Sequence, residues 1–152
     1  MHLATYIGLL ESGERTLAAS YRQVATGHAD EADVHHTCLQ LSDQCDEHLE
    51  ALAPVVQRYG DAPEDEPERL HAEGLSEVRS GGLGLLRDLH DLYILASYVD
   101  ITWTLVGQAA QGARDAELID VVTRCDDQTS TQVSWLRTRL KQAAPQALLV
   151  AR

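Results

Sequence analysis

Apolar residues recur three or four positions apart in the first part of the chain, the spacing that aligns side chains along one face of an α-helix. The first stripe predicts a helix over about residues 3–26 and consists of Leu3, Ile7, Leu10, Leu17, Tyr21 and Val24. The second predicts a helix that reaches Pro54 and consists of Val34, Cys38, Leu41, Cys45, Leu49 and Leu52. Pro54 removes a backbone hydrogen bond, which predicts a kink before Gly60. Gly27 and Asp30 are typical capping residues, so we expect only a short turn between these helices.

Two further helices are predicted in the second half. The segment of about residues 83–110 is apolar on nearly every side, which is typical of a helix buried by more than one neighbour. Gly112 and Asp115 then provide a stop and a start signal. The last helix is predicted over about residues 116–143 and ends at Pro145. The apolar tail 147–150 is expected to pack back on the bundle.

The connection between the two halves, about residues 60–82, differs in composition from the rest. It contains Pro63, Pro67, several glycines and many acidic residues. Its length is longer than a helical hairpin needs but suits a crossover along a bundle, with a short helical turn predicted around 68–73. We therefore predict one all-α domain over 1–152. Its fold would be a four-helix bundle of two antiparallel hairpins joined by the crossover.

Charge and cysteine usage exclude several classes of function. The net charge of −12 repels phosphate backbones, so no nucleic-acid partner is predicted. Ionisable residues interrupt the most apolar stretch, residues 83–106, and argue against a membrane span. Three cysteines are too few for a disulfide framework, and no signal peptide is recognisable before residue 13, so a cytoplasmic protein is expected.

The two halves of the sequence can be superposed with an offset of 80 residues. Cys45-Asp46-Glu47-His48 then falls on Cys125-Asp126-Asp127-Gln128, and Glu11 falls on Asp91. Residues at positions i and i+3 share one face of a helix, so each segment presents its first and last side chain together.

This arrangement resembles the ferritin-like superfamily. That family holds two metal ions with one Glu on each of two helices and one E-x-x-H motif on each of the other two. The resemblance covers the helix order and connection lengths. It implies a metal site at Glu11 or Glu14, Asp91, Cys45, His48, Cys125 and Gln128. Only His48 and the acidic residues retain the family's ligand types, so a ferroxidase-type centre is not expected.

Two interpretations of these positions remain open. Glu14 lies on the apolar stripe of the first helix, where it needs a partner: a metal ion, His48 or water. In the first interpretation the centre is metal-free, Glu14 or Asp91 hydrogen-bonds to His48, and the thiols pack as apolar groups. In the second, Glu14, Cys45, His48 and Cys125 bind zinc, iron or Cu⁺ for storage or redox chemistry.

The function expected from the first interpretation is that of a non-enzymatic homo-oligomer without a cofactor. No phosphate-binding loop, nucleophile elbow or other catalytic motif is recognisable. A homodimer with the third helix at the contact is predicted, because one four-helix bundle cannot cover so many apolar faces. A third alternative is an interaction module that uses this helix to bind a different protein. Asp100, on the same helix, is expected to be held by Tyr, Trp or Thr donors.

Overall fold

A computed structural model of the chain describes residues 2–60, 74–75 and 77–151, and this part is helical throughout its regular structure. Four long helices follow one another: α1 (Leu3–Gly27), α2 (Ala32–Tyr59), α3 (Gly81–Ala113) and α4 (Ala116–Pro145). A single π-helical turn, Gln146–Val150, follows α4. No strand occurs in the described ranges. The predicted all-α class and the four predicted helices are confirmed.

The helix ends agree with most of the capping signals. Asp115 precedes α4 and its carboxylate accepts a hydrogen bond from the Leu118 amide at 3.2 Å. The residue before it, Arg114, adopts a left-handed conformation with φ of 54° and closes α3. The predicted start at Asp30 is wrong by one residue, because Glu31 is the residue that precedes α2. Pro54 lies inside α2, which continues to Tyr59.

The segment after α4 differs from the prediction. Ala147 is buried, but the next three side chains, Leu148, Leu149 and Val150, are 65%, 84% and 64% exposed. One turn of helix can direct only part of its side chains towards the bundle, so the packed tail predicted for 147–150 is limited to Ala147. The predicted helical turn at 68–73 lies outside the described residues.

The four helices enclose one apolar core. α1 packs along both α2 and α3, while α4 packs along α3 and α2. The largest fully buried apolar side chains come from every helix and include Leu10, Leu17, Leu52, Leu89, Leu92, Trp103, Leu118 and Leu136. Among the described helices, none combines the length and the apolar character that crossing a lipid bilayer requires.

Candidate functional site

Four polar side chains, one from each helix, meet inside the apolar core. The imidazole Nδ1 of His48 lies 2.8 Å from Glu14 Oε1, and its Nε2 lies 2.7 Å from Gln128 Oε1. The indole Nε1 of Trp103 donates to the same Glu14 oxygen at 2.8 Å. Glu14 and Trp103 are fully buried and His48 is 2% exposed. We call these four residues the core cluster.

Helical spacing places each member of the core cluster on a buried stripe. Glu14 lies between Leu10 and Leu17, and both of these leucines are fully buried. Trp103 likewise lies between the buried Val99 and Val106. Because positions three and four residues apart share one face, these neighbours turn the polar side chains inward together with the apolar ones.

Both ring nitrogens of His48 lie close to oxygen atoms, which favours the protonated ring. In that form the imidazole can donate a hydrogen bond at each position. Burial alone would lower the pKa of His48. The hydrogen bond and the charge of Glu14, helped by the hydrogen bond to Gln128, outweigh burial and raise the pKa above its usual value. The core cluster is therefore built around an ion pair between His48 and Glu14.

The two carboxylate oxygens of Glu14 differ in their hydrogen bonding. Oε1 accepts from both His48 and Trp103, whereas Oε2 is buried with no conventional hydrogen-bond partner. The Cys45 thiol faces this carboxylate. Burial raises the pKa of Cys45 well above its usual value, and the charge and hydrogen bond of Glu14 raise it further. A protonated thiol is only a weak hydrogen-bond donor.

The other two thiols are also poor nucleophiles and poor ligands at neutral pH. Burial raises the pKa of Cys38 to about 12, with a smaller contribution from Asp33. Burial and the charge of Glu14 raise the pKa of Cys125 to about 12 as well. All three cysteines are free and buried. Protonated and enclosed, Cys38 and Cys125 pack as small apolar groups.

A second polar layer lies beside the core cluster. The Tyr21 hydroxyl donates to Gln132 Oε1 at 3.0 Å, and Gln132 Nε2 donates to Gln44 Oε1 at 3.1 Å. Burial raises the pKa of Tyr21 well above its usual value, with a further increase from the charge of Glu14. Gln132 also hydrogen-bonds Cys45 and so connects the two layers.

The structure brings most of the predicted site residues together. Glu14, His48 and Gln128 are in direct contact, and Cys45 interacts with Glu14. Cys125 is buried three positions before Gln128, within reach of the charge of Glu14. Of the partners proposed for Glu14, which are a metal ion, His48 or water, the structure shows His48. Of the two carboxylates proposed to hydrogen-bond His48, it shows Glu14, whereas Asp91 pairs with Arg79.

Glu11 and Asp91 lie outside the core cluster. Glu11 is partly exposed and pairs with Arg15 at 3.6 Å. Asp91 is 44% exposed and pairs with Arg79 at 2.8 Å. The α3 residue that reaches Glu14 is Trp103, which follows Asp91 by 12 residues, or about 18 Å along a helix. The 80-residue offset thus pairs His48 with Gln128 but does not align α1 with α3.

Sequence reasoning did not identify Trp103 as a site residue, nor the Tyr21, Gln44 and Gln132 layer. One signal was available for Trp103: a buried indole needs an acceptor for its N–H group. Gln132 carried a comparable signal. It follows Gln128 by four residues, on the same face of the last helix.

A separate polar cluster closes one end of the bundle. The fully buried Asp88 accepts from the backbone N–H and the guanidinium of Arg79, each at 2.9 Å. It also lies 2.7 Å from His28 Nε2. These contacts attach the chain just before α3 to the end of α1. Asp100, also on α3, is partly buried beside Asp126, and burial followed by the charge of Asp126 raises its pKa.

Comparison of the chain with protein-family models, with characterised proteins and with solved structures finds no match. The chemistry of the site therefore rests on its own geometry. Within the described residues, no three His, Cys, Asp or Glu side chains are grouped so that they could hold a metal ion.

Proposed function

We propose that this chain is a ferritin-like four-helix bundle whose di-metal centre has been replaced by the core cluster, and that it acts as a non-enzymatic homo-oligomer. The observation that carries the proposal is the direct contact of Glu14, His48 and Gln128. These residues occupy the positions that the family resemblance assigned to ligands. Here His48 pairs with Glu14 through one ring nitrogen and with Gln128 through the other.

The donor chemistry supports this proposal. Metal ligands must be deprotonated, and an imidazole needs a free nitrogen lone pair. His48 has neither ring nitrogen free, because both face oxygen atoms. The thiols of Cys45 and Cys125 have raised pKa values, so a metal ion would have to displace a proton from each of them. A tetrahedral metal would then find Glu14 Oε2 as its single ready ligand, where it needs about four.

Contacts between the helices support the ferritin-like arrangement of two antiparallel hairpins. Between α1 and α2, residue 14 meets residue 48 while residue 25 meets residue 35. Between α3 and α4, residue 107 lies against residue 122 while residue 100 lies near residue 126. Residue numbers that increase along one helix meet decreasing residue numbers along its neighbour, as expected for antiparallel helices.

In this account the core cluster fixes the register of the four helices. A one-turn slip of any helix would leave a buried charge or hydrogen-bonding group without its partner, which costs several kcal/mol for a charged group. Buried polar groups have this role in other helical assemblies. Three buried free thiols are compatible with the reducing cytoplasm, where we place the protein.

The rival function is a single-metal site at Glu14, Cys45, His48 and Cys125. The observation in its favour is the unpartnered Glu14 Oε2. Binding a cation there would require His48 to rotate or lose a proton and both thiols to ionise. Such a site would also be strongly dependent on pH.

Iron and zinc titrations separate the two functions. We expect Fe²⁺ and Zn²⁺ to leave the melting temperature unchanged, and Fe²⁺ to cause no stoichiometric oxygen consumption, because a ligand that does not bind the folded state cannot stabilise it. Glu14→Gln is the control. Weak binding of cations to the acidic surface would be the same in this variant and in the unmodified chain.

Two results would contradict the proposal. Two irons per chain with oxygen consumed, both lost in Glu14→Gln, would indicate an active di-iron centre. One zinc per chain that raises the melting temperature, with the effect lost in Cys45→Ala, would favour the rival site.

A further inference from the structure

The outer side of α3 carries exposed apolar side chains in one line. Ile94, Ile101 and Leu105 are 59%, 53% and 48% exposed. Their separations of seven and four residues keep them on one stripe of the helix. Leu83 continues the stripe towards the start of α3 and is 47% exposed. We call Ile94, Ile101 and Leu105 the α3 face.

The α3 face is uncharged on an otherwise acidic molecule. From residue 92 to residue 113 the sequence has one charged side chain, Asp100, whereas the whole chain has 24 acidic residues and a net charge of −12. Asp100 lies beside Asp126 of α4, on a different side of α3 from the stripe. An uncharged apolar band gives a basic partner nothing to pair with. It is instead the region where another acidic molecule meets the least local repulsion.

An apolar groove lies at one end of this face. It is bounded by the start of α1 and the end of α3, has a volume of about 410 Å³, and is lined by Leu3, Tyr6, Leu105, Val106 and Ala109 among others. Ile94 projects from the same stripe 11 residues before Leu105, about 16 Å away along the helix. One surface therefore carries a projecting side chain and a groove at opposite ends.

We propose that the α3 face binds a second copy of this chain, with the two α3 helices crossing in opposite directions near residues 98–101. The two-fold axis of such a pair brings Ile94 of each copy to the groove beside Leu105 of the other. An isologous interface needs this self-complementarity, since the same patch must serve both partners. The proposal deepens the homo-oligomeric part of the proposed function and rests on it.

Ionic strength distinguishes a second copy from a partner of another kind. Two chains of charge −12 repel at long range, and salt screens this repulsion over about 10 Å at 0.1 M. We expect the dimer to dissociate less readily as the salt concentration increases. A complex with a basic partner at an acidic surface would show the opposite dependence.

The test is the mass in solution at micromolar concentration, measured by sedimentation equilibrium at low and high salt. We expect twice the chain mass of 16.7 kDa for the unmodified chain. Ile101→Asp should give the single-chain mass, because a charge at the centre of the contact would be buried against its own copy. Leu39→Asp is the matched control, since Leu39 is an exposed apolar residue of α2. It should remain a dimer.

Cross-linking keeps the proposal testable if Ile101→Asp misfolds. Position 101 lies near the proposed two-fold axis, so Ile101→Cys should form a disulfide between copies on mild oxidation, and Leu39→Cys should not. A single-chain mass for the unmodified protein at both salt concentrations would overturn the proposal. So would a dimer that is lost in Leu39→Asp and retained in Ile101→Asp. The metal titrations do not depend on dimer formation. A failure of the dimer prediction can therefore be distinguished from a failure of the proposal for the core cluster.

Discussion

Glu14 is the residue on which the other members of the core cluster depend most. Its Oε1 accepts from His48 and Trp103, and its charge raises the pKa values of His48 and Cys45. Removing one member of a buried ion pair leaves the other without compensation, which is more costly than losing a pair at the surface. The same chemical change should therefore have different effects at Glu14 and at Glu11.

We predict that Glu14→Gln lowers the free energy of unfolding by about 3 kcal/mol, because His48 loses its charged partner in the core. Glu11→Gln is the matched control one turn away, and its exposed pair with Arg15 is worth less than about 0.5 kcal/mol. Urea denaturation followed by circular dichroism measures both. Equal losses in the two variants would show that the ion pair contributes nothing specific.

One part of this site can be predicted from the sequence, and another part cannot. Glu14 lies on an apolar stripe, so its need for a partner can be inferred from spacing alone, and His48 is one of the partners that the sequence offers. Trp103 could not be selected in this way, because indoles are common in helix cores and its acceptor lies on a helix 89 positions away in the chain. Which residues of α1 and α3 face each other depends on the rotation of each helix.

The contact between α3 and α4 depends on a close approach at Gly107. A Cβ atom built there would lie 2.8 Å from Val122 Cγ1, closer than normal packing permits. Gly112, near the end of the same helix, has no neighbouring atom within 4 Å of its hypothetical Cβ. The two glycines therefore have different roles in α3.

We predict that Gly107→Ala destabilises the protein by about 1–3 kcal/mol, because the added methyl group must displace Val122 or separate the helices. Gly112→Ala should instead stabilise it by roughly 0.5 kcal/mol, since alanine loses less backbone entropy than glycine in a helix. Thermal unfolding of both variants shows whether each substitution stabilises or destabilises the protein. A stabilising Gly107→Ala would show that α3 and α4 are not packed this closely.

The elements themselves were the most predictable part of the fold. Caps and apolar spacing located α1, α3 and α4 to within about three residues, as expected when local signals agree with tertiary packing. α2 extends five residues beyond the predicted Pro54, to Tyr59. The offset of 80 residues predicted the meeting of His48 with Gln128 but failed for Asp91. A repeat in sequence constrains which helices correspond. It does not constrain the rotation of each helix about its axis, which packing determines.

For the whole molecule, the core cluster couples stability to pH through His48. The pKa of His48 in the folded state is raised above its ordinary value of 6.5. The corresponding stabilisation is fully present below that ordinary value and is lost as pH rises through the folded-state pKa. Stability should thus decline as the pH rises above about 6.5. This part of the decline should be missing in His48→Gln.

The most direct test of the central claim is a pH titration of the His48 imidazole by ¹H–¹⁵N NMR, with and without one equivalent of Zn²⁺. We expect the ring to titrate above 6.5, to be protonated at both nitrogens below its pKa, and to keep its signals unchanged on adding zinc. A ring that titrates at or below 6.5 and whose signals shift on adding zinc would contradict this expectation. His48 would then be a metal ligand, not the centre of a hydrogen-bonded cluster.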